Sequence, residues 1–255
     1  MRFNKFLIES DKFTNFLKEV KSHCSEFVSK TTGPLYRGTS NETIGYNDAI
    51  EDRKPKDSKK DKIFNNGLNL GIEYLFKEPN IRTRALFCTN AQHQARSYGK
   101  LNFIFPSDGC KFIWSDNIYD SYEDLHFDNS DDFRRALFSL TQLMNLVVSV
   151  PNVDEKFLKD FIQKNPDKTD KKSEQTILKM FGGLLDDEGY KMSDHPGAPV
   201  LKKAGHEILV FNAKRYYKIN VSYAAKELGI KDDNSAMFET KVYTKLVEAI
   251  NAKVD

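Results

Sequence analysis

"RTRALFCTNAQHQARSYGKLNFIFP", residues 82–106, holds a change of period that sets the reading of the whole chain. RALFCTN (84–90) is a short apolar run ending on polar residues, the pattern of a strand. AQHQARSYG (91–99) is polar with helical spacing, and Thr89 or Asn90 stands where a helix N-cap is wanted. LNFIFP (101–106) is apolar again, and SDG separates it from CKFIW (110–114), which predicts a hairpin. Strand, short helix and strand within 25 residues is too compact for a doubly wound unit and points to an α+β protein.

Working outward, PLYRGTS (34–40) holds a second strand-like run that ends on Arg37 and turns tightly at Gly38. An arginine at that place can reach a bound anion or simply face water. HEILVF (206–211) and RYYKINV (215–221) form a last pair of strand-like runs separated by NAK, with Glu207 opening the first. Helical spacing is found at 10–29, with Phe13, Phe16, Leu17, Val20, Cys24 and Phe27 on one stripe and Ser10 or Asp11 as N-cap. It recurs at 132–150, closed by Pro151, and at 173–187 and 235–253. The stretch 50–62, IEDRKPKDSKKDK, mixes six basic with four acidic residues and reads as a mobile charged loop.

The chain has 255 residues, 39% of them apolar, enough for a substantial core. With 39 Lys+Arg against 37 Asp+Glu, the overall charge gives no reason to expect a polyanion-binding protein, although local patches stay open. Cys24, Cys88 and Cys110 are widely spaced with no C-x-x-C pair, and a reducing, cytoplasmic setting fits them. The first residues lack the apolar run of a secretory signal, and no stretch approaches the length of a membrane span. Both glycine-rich phosphate cradles, H-E-x-x-H and G-x-S-x-G are missing. The five histidines show no metal-ligand spacing, so no metal is expected.

Taken in chain order, Arg37-Gly38, Cys88-Thr89-Asn90 and Glu207 resemble the three motifs of the mono-ADP-ribosyltransferase family, in the branch marked by an arginine, a Ser/Thr strand and a glutamate. PLYRGTS is similar to its first-strand arginine motif, residues 82–106 to its second, and GHEILVFNAKRYYKINV (205–221) to its third, a strand opened by glutamate with a partner strand after it. The likeness spans residues 33–221 but rests on these three patches. It implies one domain over 1–255, with a pair of small antiparallel-rich β-sheets forming a cleft. Helices would lie at the N-terminus (1–30), in the centre and at the C-terminus (222–255).

The resemblance also implies NAD as co-substrate and a macromolecular acceptor, in the manner of a phage or bacterial effector. Glu207 would stabilise positive charge developing on the ribose, and Arg37 would grip the phosphates with its guanidinium fork. Gly38 would let the backbone pass close to the cofactor, and Thr89 would hydrogen-bond Glu207 and aim it. Asn90 and Tyr98 would complete the cofactor contacts, Tyr98 beside the nicotinamide. The family's middle motif usually reads Ser-Thr-Ser, whereas this chain has Cys88-Thr89-Asn90. Two residues before its glutamate the family carries glutamate or glutamine, and here Gly205 stands there. In the loop 192–206, His195 and Asp194 are candidates for an acceptor-activating base, with a structural histidine the plainer reading. Two further readings stay open: an NAD glycohydrolase, and an inactive scaffold acting as an interaction protein.

Overall fold

The computed structural model describes residues 2–31, 33–40, 44–48, 59–79, 81–119, 179, 181–199, 206–233, 235 and 237–252. Two compact units divide the chain. One comprises Met1–Ala49, Leu86–Trp114 and Met192–Asp255, the other Ile50–Ala85 and Ser115–Lys191. In chain order the described elements are α1 (Arg2–His23), α2 (Ser25–Lys30), β1 (Leu35–Thr39), β2 (Ile44–Asp48), α3 (Lys59–Phe76), α4 (Ile81–Arg84), β3 (Leu86–Thr89), α5 (Gln92–Ser97), β4 (Lys100–Pro106) and β5 (Lys111–Ser115). A helix over 181–187 (α6) follows. The last are β6 (Tyr190–Ser193), β7 (Glu207–Phe211), β8 (Arg215–Asn220), α7 (Val221–Glu227) and α8 (Phe238–Ala252).

The protein is α+β, with an eight-stranded sheet ordered β2-β8-β4-β1-β3-β7-β5-β6. Long antiparallel ladders hold most neighbours: β4 runs against β1 from Leu35↔Ile104 to Thr39↔Lys100, and against β8 from Asn102↔Asn220 to Pro106↔Tyr216. The join between β1 and β3 is different, resting on the single pair Tyr36↔Thr89.

This order corrects three expectations. One eight-stranded sheet stands where a pair of small sheets was expected, because β1 and β3 still pair at Tyr36↔Thr89. β4 and β5 are not hairpin partners, and neither are β7 and β8. Turn chemistry at Ser107-Asp108-Gly109 is real, with Gly109 at φ 80°, but the turn is claimed by other segments. The Asp108 N–H donates to His23 O, the Ser107 N–H donates to Arg215 O, and the Asp108 carboxylate accepts from the Glu26 N–H and the Ser25 hydroxyl. Both edges of β4 are then filled by β1 and β8, and both edges of β7 by β3 and β5. A local turn signal loses to longer ladders that close elsewhere.

Two helix boundaries also differ from expectation. α1 begins at Arg2, so Ser10 and Asp11 lie inside it. It ends at His23, where the backbone of Cys24 (φ −126°, ψ 28°) leaves the helical region. α3 begins at Lys59, so residues 59–62 of the expected loop are helical, as suits a run of lysines among good helix formers. Residues 50–58 and the helix expected at 132–150 fall outside the described residues.

The core of the first unit is aromatic. The Phe105 ring meets Phe16 at 6.1 Å and Phe27 at 6.0 Å, edge to face, and stacks on Tyr243 at 6.1 Å. Edge-to-face and offset pairs of this kind add to the gain from area burial. These contacts bring α1, α2 and α8 onto β4. In the second unit α3 and α6 meet at glycines: a Cβ on Gly71 would fall 2.6 Å from Leu185 Cδ1, and one on Gly182 would strike the Tyr74 ring. No described helix is long and apolar enough to cross a membrane.

Candidate active site

The three motif strands β1, β3 and β7 are neighbours in the sheet. Tyr36 pairs with Thr89, and Thr89 pairs with Glu207; Arg37 lies in the middle of β1 rather than at the strand end and tight turn expected of it, because Gly38 and Thr39 continue the ladder against β4. Paired residues on hydrogen-bonded strands sit about 5 Å apart between Cα atoms, so Arg37, Thr89 and Glu207 occupy one short stretch of sheet. Beyond the single pair Tyr36↔Thr89 the two strands share no further register, and the Arg37 side chain spans the opening. Its Nη1 donates to Phe87 O at 3.3 Å. Arg37 and Glu207 are both part-exposed, as groups that meet a ligand must be, whereas Thr89 is buried.

Thr89 and Asn90 act on the backbone around them. The Thr89 hydroxyl donates to Gln94 Oε1 at 2.6 Å and accepts from the Ala91 N–H at 3.0 Å. Its one proton goes to α5, so the aiming bond to Glu207 expected of it is not made here. Holding Glu207 falls instead to Asn90. The Asn90 Oδ1 accepts from the His206 N–H at 3.2 Å, and its Nδ2 reaches Pro199 O at 3.4 Å. One amide thus ties both ends of the 200–205 segment and fixes the residue just before Glu207. A carboxylate or hydroxyl could not both accept and donate in this way with an amide's geometry.

Gly38 is required by the close approach of α5. A Cβ there would overlap Ala95 O and lie 2.8 Å from the Tyr98 carbonyl carbon. Gly99, at φ 131°, faces Thr39 in return: a Cβ on it would lie 2.6 Å from Thr39 O. The two glycines let the end of α5 lie directly on β1. α5 is also fastened by Arg96, whose Nη2 contacts the buried Glu239 Oε1 of α8 at 2.6 Å. Tyr98, the α5 C-cap, is 64% exposed.

One residue of this neighbourhood was not singled out from the sequence. Lys218 of β8 lies near enough to Arg37 for the two charges to interact. Its ammonium is held below the ordinary lysine range, first by partial burial and then by the Arg37 guanidinium. Among the described residues no carboxylate is paired with either cation. The signal was faint: in RYYKINV a single lysine alternates with buried Tyr217 and Ile219.

His195 builds a turn. Its Nδ1 accepts from the Gly197 N–H at 3.1 Å and its own N–H donates to Ser193 Oγ. Gly205 lies outside the described residues. Among the described residues no group of three or more His, Cys, Asp or Glu side chains is placed to hold a metal. Comparisons with family models, with curated proteins and with solved structures found no match to this chain.

Proposed function

We propose that this protein is an NAD-dependent mono-ADP-ribosyltransferase acting on a macromolecular acceptor. The observation that supports the proposal is that β1, β3 and β7 are neighbours in the sheet, with Thr89 paired to Glu207 and Arg37 next in sequence to Tyr36, the partner of Thr89. Arg37 holds the diphosphate with directional bonds, and Lys218 adds a second positive charge beside it. The carboxylate of Glu207 sits against the ribose. As the bond between nicotinamide and ribose breaks, its electron pair leaves with neutral nicotinamide and positive charge develops on the sugar, where Glu207 stabilises it. The acceptor nucleophile then attacks the anomeric carbon and gives up its proton. Asn90 keeps Glu207 in place through His206, and α5 is seated on β1 through the Gly38 and Gly99 contacts.

The test is incubation of the purified chain with adenylate-labelled NAD, with and without cell extract. Label bound to a protein or nucleic-acid band supports transfer. Free ADP-ribose as the sole product replaces the proposal by an NAD glycohydrolase, and intact NAD in both arms overturns the enzyme reading.

A further inference from the structure

At the far side of the first unit from Glu207, α1, the edge strand β2 and its neighbour β8 line an open cavity of about 560 Å³. In the strand order, β4, β1 and β3 stand between β8 and β7. This volume falls in the range of small-ligand sites. Three cations line it, Lys12, Lys18 and Arg215, against one carboxylate, Glu19. That carboxylate is already engaged: Glu19 Oε2 accepts from the Tyr217 hydroxyl at 3.1 Å and lies 3.6 Å from His23 Nε2. The cavity is therefore electropositive in a protein whose net charge is only +2.

Aromatic rings complete the site. Tyr46 is 54% exposed on the outermost described strand, and the Arg215 guanidinium lies over its ring at 4.0 Å. Tyr217, whose ring centroid is 6.0 Å from that of Tyr46 and tilted to it, stacks in turn on His23 at 6.2 Å. A guanidinium stacked on a tyrosine has its fork held in a set plane. A flat ring beside fixed cations recognises a ligand that is both aromatic and anionic, which is the chemistry of a nucleotide.

We infer that this cavity is a nucleotide-binding site, in which Tyr46 stacks a base while Arg215, Lys12 and Lys18 hold its phosphate. It stands independently of the catalytic reading, because none of its residues belongs to the β1-β3-β7 site. The nucleotide is either free or part of a single strand, and the two share this chemistry.

The experiment measures AMP binding by calorimetry and binding of a labelled single-stranded oligonucleotide by fluorescence anisotropy, on the full chain. Saturable binding that weakens with salt is expected. Tyr46→Ala should weaken it about tenfold, the usual effect of removing a stacking ring. Lys12→Glu with Lys18→Glu should weaken it at least as much. Arg37→Ala should leave it unchanged, which separates this site from the cofactor site. Binding of AMP assigns the site to free nucleotide, and binding of the oligonucleotide alone assigns it to a strand. Absence of saturable binding by both probes overturns the inference. So does binding that Tyr46→Ala and the double charge reversal leave intact, with circular dichroism unchanged in the variants.

Discussion

Two joins within one sheet are built on opposite plans. Between β4 and β8 five residues pair in unbroken register, and Phe103, Phe105 and Tyr217 are covered by helices until almost no surface remains. Between β1 and β3 one pair closes the ladder, and an arginine side chain fills the space that further backbone bonds would have taken. The first join spends its side chains on stability. The second leaves polar groups part-exposed where strands diverge, which is where a ligand can enter. Stability and the proposed chemistry thus fall on two seams of the same sheet.

The division can be attacked from its strong side first. Phe105→Ala should cost about 3–5 kcal/mol, the range for truncating a buried phenylalanine, read from the denaturant midpoint. A loss below about 1 kcal/mol would mean that β4–β8 is not the anchor. Next comes the contact between β1 and α5. Gly38→Ala places a methyl group against Ala95 O and should cost about 1–3 kcal/mol while moving Thr89 through Gln94. Unchanged thermal stability would show that α5 has room to shift.

Asn90→Ala is milder, about 1 kcal/mol for the lost tether, and should lower turnover of NAD more than it lowers affinity for it. Asn90→Asp keeps the acceptor for the His206 N–H and should recover most of that turnover, which a purely structural asparagine would not distinguish. Alkali tests the same burial without a substitution. Burial pushes Cys110 from an ordinary 9.0 up to about 12, and Tyr243 from 10.0 up to about 12. The unfolded chain releases these protons at lower pH than the folded one. The stability they contribute is complete below about pH 9 and is lost as pH rises towards 12. Midpoints that stay flat from pH 9 to 11 would contradict this burial.

Much of the secondary structure was legible because its causes are local. The runs LFCT, KFIW and EILVF became β3, β5 and β7, and the short helix between β3 and β4 lies where polar spacing put it. Strand neighbours were not legible. Ser107-Asp108-Gly109 turns as its residues demand, yet the choice between a hairpin and a crossover depends on which ladder fills the edge of β4. That is decided by residues more than sixty positions away in sequence.

The site shows the same split. Thr89 and Glu207 were readable as strand ends while Arg37 lies mid-strand, and Thr89 turned to Gln94 five residues on, but the tie from Asn90 to His206, 116 residues away, had no local signal. Lys218 was missed since only the folded sheet brings it beside Arg37.

The most direct measurement is nicotinamide release by the purified chain and by Glu207→Gln. A carboxylate that stabilises charge on the ribose should be worth about a hundredfold or more in kcat, with the melting temperature unchanged because Glu207 is part-exposed at a strand end. Release by the variant at the rate of the wild type would contradict the account.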